Sequence, residues 1–322
     1  MSELFLNNKV TVFLFSEVVI YILASIAFLT AIVILKKWDF NKFTKEQFNL
    51  EKKQYLVSTV IFFILIIKIF TTIYFVYTID SLAILVPGAM CAAGVISANS
   101  YGLNLLFLKL VILFFLIFWS SLNSYDLKAK NYPFLKLKMA VFIVVFSLLT
   151  AELVLDFLYF LNIDLNLPVS CCSTLFGQLE GQNPLPFGLN IPKLITLFYI
   201  LYVIVILSLI LNQKVISAIS AVLFVVVAYY SVVYFFGTYV YELPTHKCPF
   251  CMMQREYYYI GYIIWGSLFL GVYFSIIWAV NAIFFKIDNI SFKRWGAVSL
   301  TIFVLICSLY VAIYYFRNGV LL

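Results

Sequence analysis

The sequence predicts an all-α polytopic membrane protein of about eight transmembrane helices, and three observations predict it. Hydrophobic residues fill 65% of the 322 positions and charged residues only 11%, against roughly 45–50% and about 25% in a soluble domain. Phe occurs 34 times and Tyr 23 times, which is no material for a water-facing surface. The apolar residues gather into runs near the roughly 20 residues needed to cross about 30 Å of hydrocarbon. Together these exclude a soluble enzyme, a disordered chain and a nucleic-acid binder, and they imply a lipid bilayer as the surroundings.

The runs are, in order, 11–35, 55–78, 103–123, 139–161, 194–211, 215–238, 257–283 and 297–316. The first is too long for the apolar region of a signal peptide, and its basic flank, Lys36 and Lys37, follows it rather than precedes it. It is expected to stay as a span with the N-terminus outside. The fifth run is short, and only Asn212, Gln213 and Lys214 separate it from the sixth, so the pair is expected as a tight helical hairpin. Between the second and third spans, residues 79–102 are apolar yet hold Pro87, Gly88 and Gly94. That segment is expected to dip back toward the membrane surface. No fixed-period repeat and no linker rich in Gly, Ser or Pro is visible, so residues 1–322 read as one integral membrane domain.

Orientation follows from where the positive charges fall. Loops 36–54, 124–138, 212–214 and 284–296 hold fourteen of the 21 Lys and Arg, the alternate side holds five, and Lys68 and Lys109 lie within spans. Cytoplasmic loops carry the excess of Lys and Arg, so both termini are expected on the extracytoplasmic side. The net charge of +7 is accounted for by these loops and calls for no nucleic-acid partner.

Five of the six cysteines fall in loops on that outer side: Cys91, Cys171, Cys172, Cys248 and Cys251. Cys307, mid-span, reads as packing. In a bacterial inner membrane the outer side is the periplasm, where disulfides form and persist. Static disulfides tying loops together are one reading. An odd number of outer cysteines suits exchange or metal binding better. Cys248-Pro249-Phe250-Cys251 is a C-x-x-C expected to open the seventh span. A helix N-terminus there, with Lys247, Arg255 and His246 nearby, would stabilise a thiolate.

The run Cys248-Pro-Phe-Cys251-Met-Met-Gln254-Arg255 resembles the C-x-x-C-x-x-Q-R signature of DsbB-like membrane thiol oxidases over about eight residues of 322. The resemblance implies passage of electrons between a soluble thioredoxin-like protein and a membrane quinone, ubiquinone or menaquinone. It makes Cys248 and Cys251 the quinone-proximal pair and sets Gln254 and Arg255, one turn into the helix, at the quinone. DsbB-like proteins are four-helix bundles, and their C-x-x-C precedes the other cysteines. Here it follows them, an order more like the vitamin K epoxide reductase family.

The other loop cysteines complete the expected relay. Adjacent Cys171 and Cys172 bridge each other only through a strained ring, so Cys91, in Pro87-Gly-Ala-Met-Cys-Ala-Ala-Gly94, is the expected partner of one of them. Inside the spans, Glu17, Lys68, Lys109, Glu152 and Asp156 are costly in hydrocarbon. Glu152 and Asp156 share one face of the fourth span. They are expected either to carry protons or to pair with Lys68 or Lys109, while Glu17 and Lys109 are expected to snorkel to the outer boundary. Tyr257, Tyr258, Tyr259, Tyr262 and Trp265 fit an interfacial aromatic belt or the wall of a quinone pocket. Two rival functions stand beside the redox one. Cys91, Cys171, Cys172, Cys248 and Cys251, with Met90, Met252 and Met253, are soft ligands suited to copper. The chain also fits a structural subunit of a larger membrane complex.

Overall fold

The computed structural model describes residues 3–39, 44–129, 131–169, 185 and 188–322. Eight helices are long and apolar enough to cross a membrane. They are α1 (Asn8–Lys37), α2 (Lys45–Leu82), α4 (Gly102–Asp126), α5 (Leu135–Leu161), α6 (Ile191–Ile210), α7 (Lys214–Tyr241), α8 (Ile260–Phe284) and α9 (Ile290–Asn318), with a short α3 (Ala92–Ile96) between α2 and α4. Among the described residues there is no strand.

Local chemistry sets several ends. The side chain of Asn7 accepts from Lys9 N–H at 3.0 Å, Thr44 from Gln47 N–H at 3.3 Å and Asn289 from Ser291 N–H at 3.0 Å, each satisfying a first-turn donor. α9 stops at Gly319, whose φ of +72° suits the left-handed cap. α2 is longer than its apolar run because the polar stretch from Lys45 continues the same helix; at 38 residues it spans about 57 Å, more than the hydrocarbon thickness. α6 and α7 form the expected tight hairpin around Asn212 (φ +57°), closed by Gln213 N–H to Ser208 C=O at 2.8 Å. α8 begins later than the apolar run suggests, because Tyr258 and Tyr259 both adopt left-handed backbone (φ +53° and +57°) and interrupt the helix.

The chain groups into two compact units, residues 1–87 with 95–169 and residues 88–94 with 170–322. In the first, α1 packs on α2 and α5, and α4 packs on α5 and α2. Ala24, Ala27 and Ala31 line the buried stripe of α1, small residues that let neighbouring helices come close. In the second, α6 packs on α7, α7 on α8, α8 on α9 and α9 on α6. Each unit is thus a ring of four helices, and in each the longest connection follows the second helix. Both connections carry a Pro-x-x-x-Cys, Pro87 to Cys91 and Pro244 to Cys248. The outward faces bear exposed large apolar side chains, Phe15, Ile22 and Leu29 on α1 and Val203, Leu207 and Ile210 on α6 among them, which suits lipid and not water.

Candidate functional site

The second unit gathers three cysteines at one point. The segment 88–94, although it lies between α2 and α4 in sequence, packs as part of this unit. Gly88 makes the turn possible with a φ of +80°, and the small residues after it let Cys91 and Ala93 reach the core. Cys91 Sγ sits 3.7 Å from Cys248 Sγ. The sulfurs of Cys91, Cys248 and Cys251 all lie within 4.8 Å of one another, and none of the three residues is more than 5% exposed. Cys307 packs within the core of α9, as read from the sequence. Cys171 and Cys172 lie outside the described residues.

The C-x-x-C loop is held by side chains from three directions. The Tyr241 hydroxyl, at the end of α7, donates to the Cys248 carbonyl and accepts from Met252 N–H at 3.0 Å, so one oxygen spans the motif. The Trp265 indole N–H, from α8, donates to the Pro249 carbonyl at 3.2 Å. Gln254 Nε2 donates to the Met90 carbonyl at 3.3 Å, tying this loop to the one that carries Cys91. His246 and Tyr257 pack their rings against Tyr241, at 4.3 and 4.8 Å between centroids, and Lys247 Nζ sits 5.1 Å over the Tyr234 ring. Gly261 gives the room for the loop: a Cβ there would lie 2.6 Å from Met252 Cγ and 2.9 Å from the Met252 carbonyl carbon. Burial, with Cys251 and Glu256 alongside, pushes the Tyr257 phenol above its ordinary value.

Two sequence expectations are corrected here. Cys251 does not open the seventh span. It lies in a three-residue 3-10 turn, Cys251–Met253, and a second such turn, Arg255–Tyr257, intervenes before α8 starts at Ile260. No long helix stands behind the Cys251 thiol, so the expected macrodipole stabilisation lacks its source. Arg255 accordingly is not one turn into a helix but on the exposed second turn. Sequence reasoning passed over Tyr241 altogether and read Trp265 only as an aromatic at the interface or a pocket wall. It also gave no sign of the π-helical turn Val232–Phe236 inside α7, which shifts the register of the last turns before Tyr241.

In the first unit the five intramembrane charges come together, one or two from each of the four helices. Lys68 Nζ lies 2.8 Å from Glu17 and 2.7 Å from Glu152; Lys109 Nζ lies 2.7 Å from Glu152 and 3.0 Å from Asp156. Glu152 thus pairs with both lysines and Asp156 with Lys109 alone. Glu17 and Lys109 do not snorkel: they are 4% and 0% exposed, because paired charges inside a bundle avoid the path to water that a lone charge needs. Lys138, assigned to an inner loop from its position, is also buried, 2.8 Å from Asp126.

Comparison of this chain with family models, curated proteins and solved structures finds no match.

Proposed function

We propose that this is a membrane thiol–disulfide oxidoreductase that exchanges disulfides with an extracytoplasmic thioredoxin-like protein and passes electrons to or from quinone. The observation that carries the reading is the 3.7 Å contact of Cys91 Sγ with Cys248 Sγ, beside Cys251. Structural staples need a partner each; exchange needs a third sulfur within reach of a pair. The lysine and arginine distribution supports an orientation with these loops and both termini on the extracytoplasmic side, which in a bacterial inner membrane is the periplasm.

The exchange balances as follows. With Cys248 and Cys251 disulfide-bonded, the Cys91 thiolate attacks the Cys248 sulfur, forming a Cys91–Cys248 bond and releasing Cys251 as thiolate. A second loop thiol, from Cys171 or Cys172, then attacks Cys91 and frees Cys248. Two thiols have become a loop disulfide, and the C-x-x-C pair has become a dithiol. A quinone re-oxidises that dithiol by taking two electrons and two protons to become quinol. The loop disulfide in turn oxidises the dithiol of the soluble partner. Each step is reversible, so the same parts run as a reductase when the partner and quinone potentials are reversed. Arg255, exposed on its turn next to the pair, is available to a developing quinone anion.

Thiol mapping in native membranes tests this. Rapid alkylation and peptide mass spectrometry should find the Cys248–Cys251 bond formed when the quinone pool is oxidised and opened when it is reduced. Cys248→Ser and Cys251→Ser should each abolish turnover while the protein remains in the membrane. Unchanged activity in both variants would sink the mechanism.

The same cluster supports a second reading. Three sulfurs within 4.8 Å match the donor set that thiolate-rich sites offer to Cu(I). Anaerobically purified protein would then carry one copper per chain, lost in Cys91→Ser, with a thiol pattern that ignores the quinone pool.

A further inference from the structure

The ionic cluster of the first unit is not used by the thiol chemistry and stands independently of it. Three carboxyl groups, Glu17, Glu152 and Asp156, face two ammonium groups, Lys68 and Lys109. None of the five is more than 4% exposed. Full ionisation would leave one negative charge without a counter-charge inside the membrane, where an unbalanced charge is expensive. Something cationic must complete the cluster.

We propose that it is a proton: the Glu152–Asp156 pair binds one exchangeable proton at neutral pH, making the interior of this unit a proton-binding site. The two residues are one helical turn apart on α5 and on the same face. Glu152 Oε1 accepts from both Lys68 and Lys109 at 2.7 Å, but its second oxygen, Oε2, is buried without a hydrogen-bond partner. Asp156 faces only the Lys109 ammonium, 3.0 Å from Oδ1 and 3.1 Å from Oδ2. Glu17 is better compensated, since Lys68 holds both of its oxygens at 3.0 and 2.8 Å. The charged groups facing the pair are thus Glu17 from α1, Lys68 from α2 and Lys109 from α4. The Phe13 and Phe75 rings cover Lys109 at 4.9 and 4.7 Å. Carboxyls this close, with too few cations between them, share a proton rather than both ionise.

The geometry favours a proton over a metal ion. Carboxylate oxygens of all three residues lie within 4.8 Å of one another, as in a cation site. Here, however, two ammonium nitrogens already stand 2.7–3.1 Å from those oxygens, filling the space and repelling any further multivalent ion. A proton needs no coordination sphere.

Infrared difference spectroscopy on the full chain in lipid nanodiscs tests the proposal. Wild type at neutral pH should show the carbonyl stretch of a protonated carboxyl, shifting in heavy water. The band should be lost or displaced in Asp156→Asn or Glu152→Gln. Should either variant fail to fold, wild type grown with heavy-carbon-labelled aspartate or glutamate assigns the band to Asp or Glu, and Glu17→Gln tells Glu17 from Glu152. No protonated-carboxyl band in wild type would overturn the proposal, as would a band that survives both variants or one assigned to Glu17. A band that disappears on adding sodium at fixed pH would overturn it in favour of a cation site.

Discussion

Replacing Tyr241 with Phe removes one oxygen and keeps the ring. That oxygen serves two buried backbone groups, the Cys248 carbonyl and Met252 N–H, which bracket the C-x-x-C. Each buried group left without a partner costs about 1–3 kcal/mol, so the loop should lose roughly 2–6 kcal/mol of local stability. Cys248 and Cys251 are 2% and 5% exposed, so an alkylating reagent reaches them only when the loop opens. At the lower end, about 2 kcal/mol, the open population rises roughly 30-fold, and the alkylation rate of the reduced pair should rise with it. Trp265→Phe, which removes a single bond to the Pro249 carbonyl, should cost about 1 kcal/mol and raise the rate roughly fivefold. The assay is a time course of maleimide modification of reduced protein in detergent, with Cys307, buried in α9, as internal control. A Tyr241→Phe rate within twofold of wild type, or a Cys307 rate that climbs in parallel, would refute the reasoning. The first result would mean the hydroxyl does not hold the loop; the second, that the whole bundle has loosened.

Two further outcomes follow from packing and charge. Gly261→Ala puts a Cβ within 2.6–2.9 Å of Met252 and Met253 atoms, including a backbone carbon, and should displace the C-x-x-C loop at about 1–3 kcal/mol, seen as faster Cys251 alkylation with α-helical circular dichroism unchanged. Lys109→Met strips the ammonium from Asp156 and one of two from Glu152 and should lower stability by about 3–5 kcal/mol, read as a fall in melting temperature in detergent; adding Asp156→Asn should restore part of the loss, and strict additivity of the two changes would count against a shared network.

What could be read in advance depended on the kind of signal each feature leaves. The spans are written in composition, because a segment that crosses the bilayer must be predominantly apolar over about 20 residues, and all eight runs became helices. The C-x-x-C was visible because its residue types are rare here and closely spaced. Cys91 was legible as a partner for the other loop cysteines, but not as the neighbour of Cys248, 157 residues away; only the turn at Gly88 and the fold of segment 88–94 bring it there. Tyr241 left no signal, since one tyrosine among 23 is distinguished only by the π-helical turn that precedes it, and backbone register is not encoded in a residue type.

The two rings of four helices make a similar point about architecture. A repeat is read in sequence when the same side chains recur, yet helices facing lipid need only be apolar, and Leu, Ile, Val and Phe exchange freely on such faces. What the two units share is what packing demands, namely helix order and a long connection after the second helix. One sequence trace is a proline four residues before a cysteine in each of those connections, Pro87 with Cys91 and Pro244 with Cys248. The first unit gathers five of its buried charges into one cluster among its helices. The second gathers three buried sulfurs beside a tyrosine hydroxyl. Ionisable groups inside a membrane are costly and mark function by default. The Glu152–Asp156 pair, where an oxygen of each carboxyl is buried without a hydrogen bond, and the third sulfur beside the C-x-x-C are therefore the places where each unit's chemistry should be sought.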